Sequence, residues 1–218
     1  MTNFDLEQID ELMLTTKQVR LRLDLTRDVP IDTVLECIQL AGGAPQGGNT
    51  QRNRWLVIDD PDKKAAIADV YARVGRPYLE RNVDVAARRG PDARQQRVID
   101  SSLYLVEHMA DVPLIVIPMR LDRPIEPAAG YYGSNLPGVW SFQMALRARG
   151  LGSTWTTFHL EHEQEVAELL GIPDTVTQTA LLPVAYYTGD SFSPAPRRPA
   201  EEITYLNAWR SPIRTGNE

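Results

Sequence analysis

The sequence predicts one domain of mixed helix and strand, spanning all 218 residues. Three observations point there. Apolar residues recur at three-and-four spacing in Ile31, Val34, Leu35, Ile38 and Ala41, and again in Leu136, Val139, Trp140, Met144 and Leu146, so both runs read as helices. Two short continuous apolar runs, Trp55-Leu56-Val57-Ile58 and Val112-Pro113-Leu114-Ile115-Val116-Ile117, read as strands; the second is continuous enough to be buried on both faces. No internal repeat or linker interrupts the chain, and its length favours a single domain.

Composition narrows the function classes. A hydrophobic fraction of 43% supports a core, and a net charge of −6 gives no reason to expect nucleic acid. Cys37 stands alone, so no intrachain disulfide or thiolate metal site is available. The N-terminal stretch carries Asp5, Glu7, Asp10 and Glu11, unlike a secretory leader, and no apolar run is long enough to cross a bilayer. These features predict a soluble cytoplasmic protein.

Taken in order, Leu6, Ile9, Leu12 and Met13 predict an opening helix. The segment Thr16 to Arg22 then places Arg20 and Arg22 on one side if it is extended, which suits either a phosphate grip or a solvated face. Pro30 suits the first turn of the helix that follows. Asp59-Asp60-Pro61-Asp62 begins another helix, carrying Ala65, Ala66, Ile67, Val70 and Tyr71. Between Arg73 and Arg97 the texture changes: Gly75, Pro77, Gly90 and Pro91 punctuate an arginine-rich stretch that reads as a solvated, mobile excursion or a lid over a pocket. Helix resumes from Ile99 to Met109, and residues 120–130 read as a loop. A wide apolar arc makes the helix from Leu136 to Arg149 central, closed by Gly150. A strand from Ser153 to Phe158, a helix from Glu163 to Leu170, a long strand from Thr179 to Thr188 and a proline-rich tail complete the reading.

The stretch with most chemistry is Gly43-Ala44-Pro45-Gln46-Gly47-Gly48-Asn49-Thr50-Gln51, a tight turn between helix and strand. Glycines let backbone approach a ligand, and the amides of Asn49 and Gln51 donate and accept at once, which suits a flat heterocycle or polar tail better than a metal. A helix cap followed by a turn explains the same residues. The stretch lacks the lysine of a phosphate loop and runs from helix into strand, the reverse of that motif, so a nucleoside triphosphatase is rejected. His159 and His162 lie three apart beside Glu163, a weak metal signal with no third histidine nearby. Neither a nucleophile elbow nor a dinucleotide fingerprint is present. Trp140 and Trp155 read as core aromatics.

Six segments in order resemble the FMN-dependent nitroreductase family: Lys17 to Arg20, Ala44 to Gln51, Gly133-Ser134-Asn135-Leu136-Pro137, Arg149 to Trp155, Leu170-Gly171-Ile172-Pro173, and Arg197-Arg198-Pro199-Ala200-Glu201-Glu202. The likeness covers Thr15 to Trp209. It implies an α+β fold, a central, mostly antiparallel sheet wrapped by helices, in an intertwined homodimer with FMN at each of two interface sites. By matching position, Lys17, Gln18 and Arg20 would meet the FMN phosphate and ribityl chain, with Arg197 and Arg198 reaching the same phosphate. Pro45, Gln46, Asn49 and Gln51 would line the flavin of the partner subunit, and Thr156 and Thr157 would pass its pyrimidine edge. The family usually carries an arginine and a serine where Lys17 and Gln18 stand, and a small hydroxyl where Gln46 stands.

The resemblance further implies an oxidoreductase in which the flavin carries the chemistry, without a catalytic side chain. Electrons would pass from NADH or NADPH to a small acceptor, a nitroaromatic or quinone, by a ping-pong mechanism. Two alternatives share the scaffold: a flavin-binding, storage or sensing protein without turnover, and a specialised enzyme such as a reductive dehalogenase or flavin-fragmenting enzyme.

Overall fold

The computed structural model describes residues 4–89 and 92–213. In chain order the elements are α1 (Leu6–Thr15), α2 (Ile31–Ala41), β1 (Asn53–Ile58), α3 (Pro61–Arg89), α4 (Ala93–His108), β2 (Leu114–Arg120), α5 (Ala129–Gly133), α6 (Leu136–Arg147), β3 (Leu151–Ser153), α7 (Glu163–Leu170), β4 (Thr177–Gln178), β5 (Leu182–Tyr186) and α8 (Ala200–Ile203). The chain divides into two compact units. One runs from Thr16 to Asp190; the other joins the residues through Thr15 to those from Ser191 onward.

The larger unit is built on β2, which is buried at every position, as its unbroken apolar sequence requires. Strands follow the order β1-β2-β5-β3, with β4 against the end of β2, and every strand pair is antiparallel. Leu114 and Val116 face one side, where Val34, Cys37 and Ala41 of α2 and Val139, Phe142 and Leu146 of α6 close over them. Ile115 and Ile117 point to the opposite side and are equally buried. Burial of Ile67 and Tyr71 on α3, and of Leu105 on α4, marks the inner faces of a helical hairpin. In the smaller unit α1 and α8 leave Leu6, Met13 and Ile203 exposed.

Proline decides one feature of the sheet. Pro118 sits inside β2 and has no N–H to donate. The pairing slips by one residue between Met119↔Gln178 and Val116↔Leu182, a β-bulge over Thr179–Leu181. The long strand read from Thr179 to Thr188 therefore shrinks to β5, with β4 split off ahead of it, and the freed Leu181 pairs instead with Thr156.

Three other expectations are corrected. Residues 73–89 are the second half of α3 and residues 93–97 the start of α4, so the loop-like texture is mostly helix; Gly90 and Pro91 lie outside the described residues. Gly75 is a packing notch rather than a break, because a Cβ there would come within 2.7 Å of the Phe158 ring. Pro77 lies on the exposed side of the helix, which continues past it. The strand read from Ser153 to Phe158 stops at Ser153, and Phe158 to His162 form a 3₁₀ turn. Residues 120–130 contain the end of β2 and the start of α5.

Candidate functional site

Two groups of the sequence-predicted residues form within the larger unit. The first gathers around the end of β3. Val19 N–H donates to Ser153 O at 2.9 Å, and Gln18 bridges Ser153 in the parallel sense. The Thr154 hydroxyl donates to Val19 O, and Trp155 N–H donates to the side-chain oxygen of Gln18. Gly152 permits this approach: a Cβ there would lie 3.0 Å from Val19 Cβ. The segment from Lys17 to Val19 is thus stitched to β3, with the oxygen of the exposed Gln18 side chain as part of the stitching.

Arg20 is half-buried and forms no ion pair with a carboxylate among the described residues. Burial draws its guanidinium below the usual arginine value, while the neighbouring Tyr71 phenol acts the other way. It remains a cation whose desolvation an incoming anion would relieve. Tyr71 itself is 2% exposed, and its hydroxyl lies 3.0 Å from Thr156 Oγ1. Burial is the main reason its phenol titrates above the ordinary range. Thr156 spends its backbone on Leu181, donating at 3.1 Å and accepting at 2.8 Å. The next N–H, that of exposed Thr157, donates to no group among the described residues.

The second group is the glycine turn between α2 and β1. Gly48 and Asn49 both adopt positive φ, at 63° and 53°. Asn49 N–H donates to Gln46 O at 3.0 Å, closing the turn. Ser134 clamps it from outside, accepting from Gly47 N–H at 3.0 Å and donating to Gly130 O at 2.8 Å. Asn53 Nδ2 donates to Ser134 O at 2.9 Å, and Asn135 Nδ2 donates to Asn53 Oδ1 at 3.0 Å. A concavity of about 490 Å³ is lined by Pro45, Gln46, Asn49 and Gln51, and another of about 230 Å³ by Gln46, Gln51, Trp55 and Gly138. Gln46 Oε1 is buried between them with no hydrogen-bond partner.

Arg197 and Arg198 lie in the smaller unit and are exposed, with Arg197 Nη1 donating to Pro196 O at 3.2 Å. Sequence reasoning missed Tyr71, Gly75 and Ser134 as supports. Ser134 stood inside a recognised segment, but nothing in its spacing tied it to Gly47. Of the two histidines, His162 is exposed, whereas His159 is fully buried with neither ring nitrogen partnered among the described residues. Burial lowers its pKa to about 4, so it is a neutral core imidazole at neutral pH.

A family model described as the nitroreductase family matches residues 16–186, nearly the whole of the larger unit. The chain belongs to the nitroreductase family. Among curated relatives, iodotyrosine deiodinase of Nematostella vectensis is 26% identical over 185 residues, covering 82% of this chain and 67% of the relative. Iodotyrosine deiodinase of Thermotoga neapolitana is 25% identical over 175 residues, covering 80% and 84%. The chain thus spans about two thirds or more of these relatives' length. The crystal structure of an oxidised iodotyrosine deiodinase bound to FMN and 3-iodo-L-tyrosine matches with a TM-score of 0.69 at 22% identity, covering 92% of this chain and 100% of that one. That of an FMN and NADPH-dependent nitroreductase variant gives 0.67 at 18%, covering 92% and 99%. These likenesses establish the α+β nitroreductase fold. No helix among the described residues is long and apolar enough to cross a membrane.

Proposed function

We propose that this protein is a cytoplasmic FMN-dependent oxidoreductase that passes electrons from NADH or NADPH to a small acceptor by a ping-pong mechanism. The observation that carries the reading is Arg20: a half-buried cation with no carboxylate partner among the described residues, next to the Tyr71 phenol, which in turn meets the Thr156 hydroxyl just before the exposed Thr157 amide. A cofactor with a phosphate at one end and a flat polar ring at the other suits that pair. The orphaned Gln46 Oε1 in the glycine turn suits a ring-borne donor.

Bound FMN would take up hydride from a nicotinamide and deliver electrons to the second substrate. Lys17 and Arg20 would hold its phosphate. Gln18 would keep the Lys17–Arg20 segment on β3, and Thr157 N–H would donate to the ring. Pro45, Gln46, Asn49 and Gln51 stand on a different element, and we assign them to the flavin of a partner subunit. Exposed apolar side chains on α2, Leu35 and Leu40, and Phe4 and Trp209 in the smaller unit support a homodimer that covers them. The segment 73–97, helical over 73–89 and 93–97, is assigned to the pocket rim as a lid. No acid, base or nucleophile is required of the protein; water in an open pocket supplies protons.

A second reading, reductive dehalogenation, is favoured by the deiodinase relatives. One experiment addresses both. Purified protein should carry a yellow chromophore that bleaches anaerobically with NADH or NADPH. Its colour should then return on adding a nitroaromatic or quinone. Return only with 3-iodo-L-tyrosine, accompanied by iodide release, selects the dehalogenase. Bound FMN that no nicotinamide reduces refutes turnover and leaves a binding protein.

A further inference from the structure

Thr157 lies between two anchored neighbours. Thr156 is held three ways: its N–H donates to Leu181 O, its carbonyl accepts from Leu181 N–H, and its hydroxyl meets the Tyr71 phenol. Leu181 is available for this only because the bulge opposite Pro118 releases it from the β2 ladder. On the other side, the Phe158 ring sits between Tyr71 and Tyr78, with centroids 5.2 and 5.4 Å away. Beneath it lies Gly75, whose missing side chain makes the room. Tyr71, Gly75 and Tyr78 are spaced by four and three residues and therefore share one face of α3.

That face is specialised. A glycine in a helix interior costs about 1 kcal/mol relative to alanine, and a buried phenol needs a polar partner. Both features are spent on a three-residue segment outside the strands, 156–158, whose exposed middle N–H donates to no group among the described residues. We propose that Tyr71, with Phe158 seated on Gly75, positions the Thr157 amide as a donor to bound flavin, so that α3 sets the cofactor's electronic environment. This rests on the reading that the protein binds FMN. Tyr71 and Phe158 act through Thr157 and are positioning residues.

The test uses FMN-loaded wild-type protein beside Tyr71→Phe, Thr156→Val, the double variant and Gly75→Ala. FMN stoichiometry, melting temperature, the two-electron midpoint potential and both half-reactions are measured on each. Tyr71→Phe removes one hydroxyl and leaves the ring against Phe158. The expected result is stoichiometric FMN with about a tenfold change in the relative binding of oxidised and reduced flavin, read as about 30 mV in potential. Thr156→Val, which removes the other end of the same hydrogen bond, shifts the potential equally, and the double variant adds nothing. Gly75→Ala shifts it too by displacing Phe158; should that variant not fold, the other three still decide. A merely structural tyrosine would lower the melting temperature and leave the potential and half-reaction rates at wild-type values, which overturns the proposal. If wild-type protein binds and cycles FMN while Tyr71→Phe matches it, this inference alone fails. If wild-type protein takes up no FMN, the functional reading fails with it.

Discussion

Replacing Gly152 by alanine would bring a methyl group to 3.0 Å from Val19 Cβ and 3.1 Å from each of its γ carbons. Carbon atoms pack best about 3.5–4.0 Å apart, so three contacts would be short by roughly half an ångström at once. The neighbour is a buried, branched side chain rather than the end of a flexible one. Relief requires the Val19 backbone to retreat, stretching the 2.9 Å bond from Val19 N–H to Ser153 O. Overpacking of this kind costs about 1–3 kcal/mol, and a weakened hydrogen bond adds about 1 kcal/mol. The expected destabilisation of Gly152→Ala is therefore about 2–4 kcal/mol. Val19→Ala alone should cost about 2 kcal/mol, from two lost methyl groups and the cavity they leave. The double variant tests the cause, because removing both γ carbons takes away two of the three short contacts. Urea unfolding of the four proteins, at one protein concentration to hold any association constant, gives the coupling. The double variant should be at least about 1 kcal/mol more stable than additivity allows. A Gly152→Ala protein within about 0.5 kcal/mol of wild type, or strictly additive effects, would refute the account of how Lys17 to Arg20 is held. In a folded Gly152→Ala protein, FMN affinity should fall together with stability.

Three further outcomes are expected. Arg20→Ala should weaken FMN binding by about 1.5–3 kcal/mol, roughly ten- to a hundredfold, while Arg94→Ala on α4 leaves it nearly unchanged; equal losses in titration calorimetry would mean the phosphate lies elsewhere. His159 titrates at about 4 when folded. An exposed histidine, as in the unfolded chain, titrates near 6.5, so its contribution is complete above that value. It drains away as pH falls toward 4, by about 3 kcal/mol in total. Urea unfolding between pH 7 and pH 4.5 should show wild type losing stability relative to His159→Leu as pH falls, and parallel curves would contradict this. Ser134→Ala should cost about 1 kcal/mol and loosen the glycine turn, seen as faster amide exchange at Gly47; unchanged exchange there would remove Ser134 as the clamp.

Much of this protein was legible locally. The α2 and α6 periods, the two-sided burial of β2 and the α7 stop at Gly171 follow from side-chain spacing and backbone preference within one element, so the sequence displays them directly. The glycine turn was legible for the same reason, as a cluster of residue types that make little sense inside helix or strand. The order of six short segments then pointed to the nitroreductase family, to which the chain belongs.

What local reading missed has a common cause. Gly75 and Pro77 look like punctuation in one dimension, yet Gly75 is a seat for Phe158, more than eighty residues away in the chain. Thr179–Leu181 look like uninterrupted strand, yet Pro118 on the neighbouring strand withholds a donor and forces the bulge. Gln18 gives no local sign that its side-chain oxygen accepts from Trp155 N–H, 137 residues away. By itself the sequence determined the elements whose hydrogen bonds and apolar faces close within a few turns or one strand period, together with the chemical character of the glycine turn. Tertiary structure alone decided which backbone groups were left over. That depends on what each distant partner can donate, accept or make room for, and no local window of sequence contains both members of such a pair.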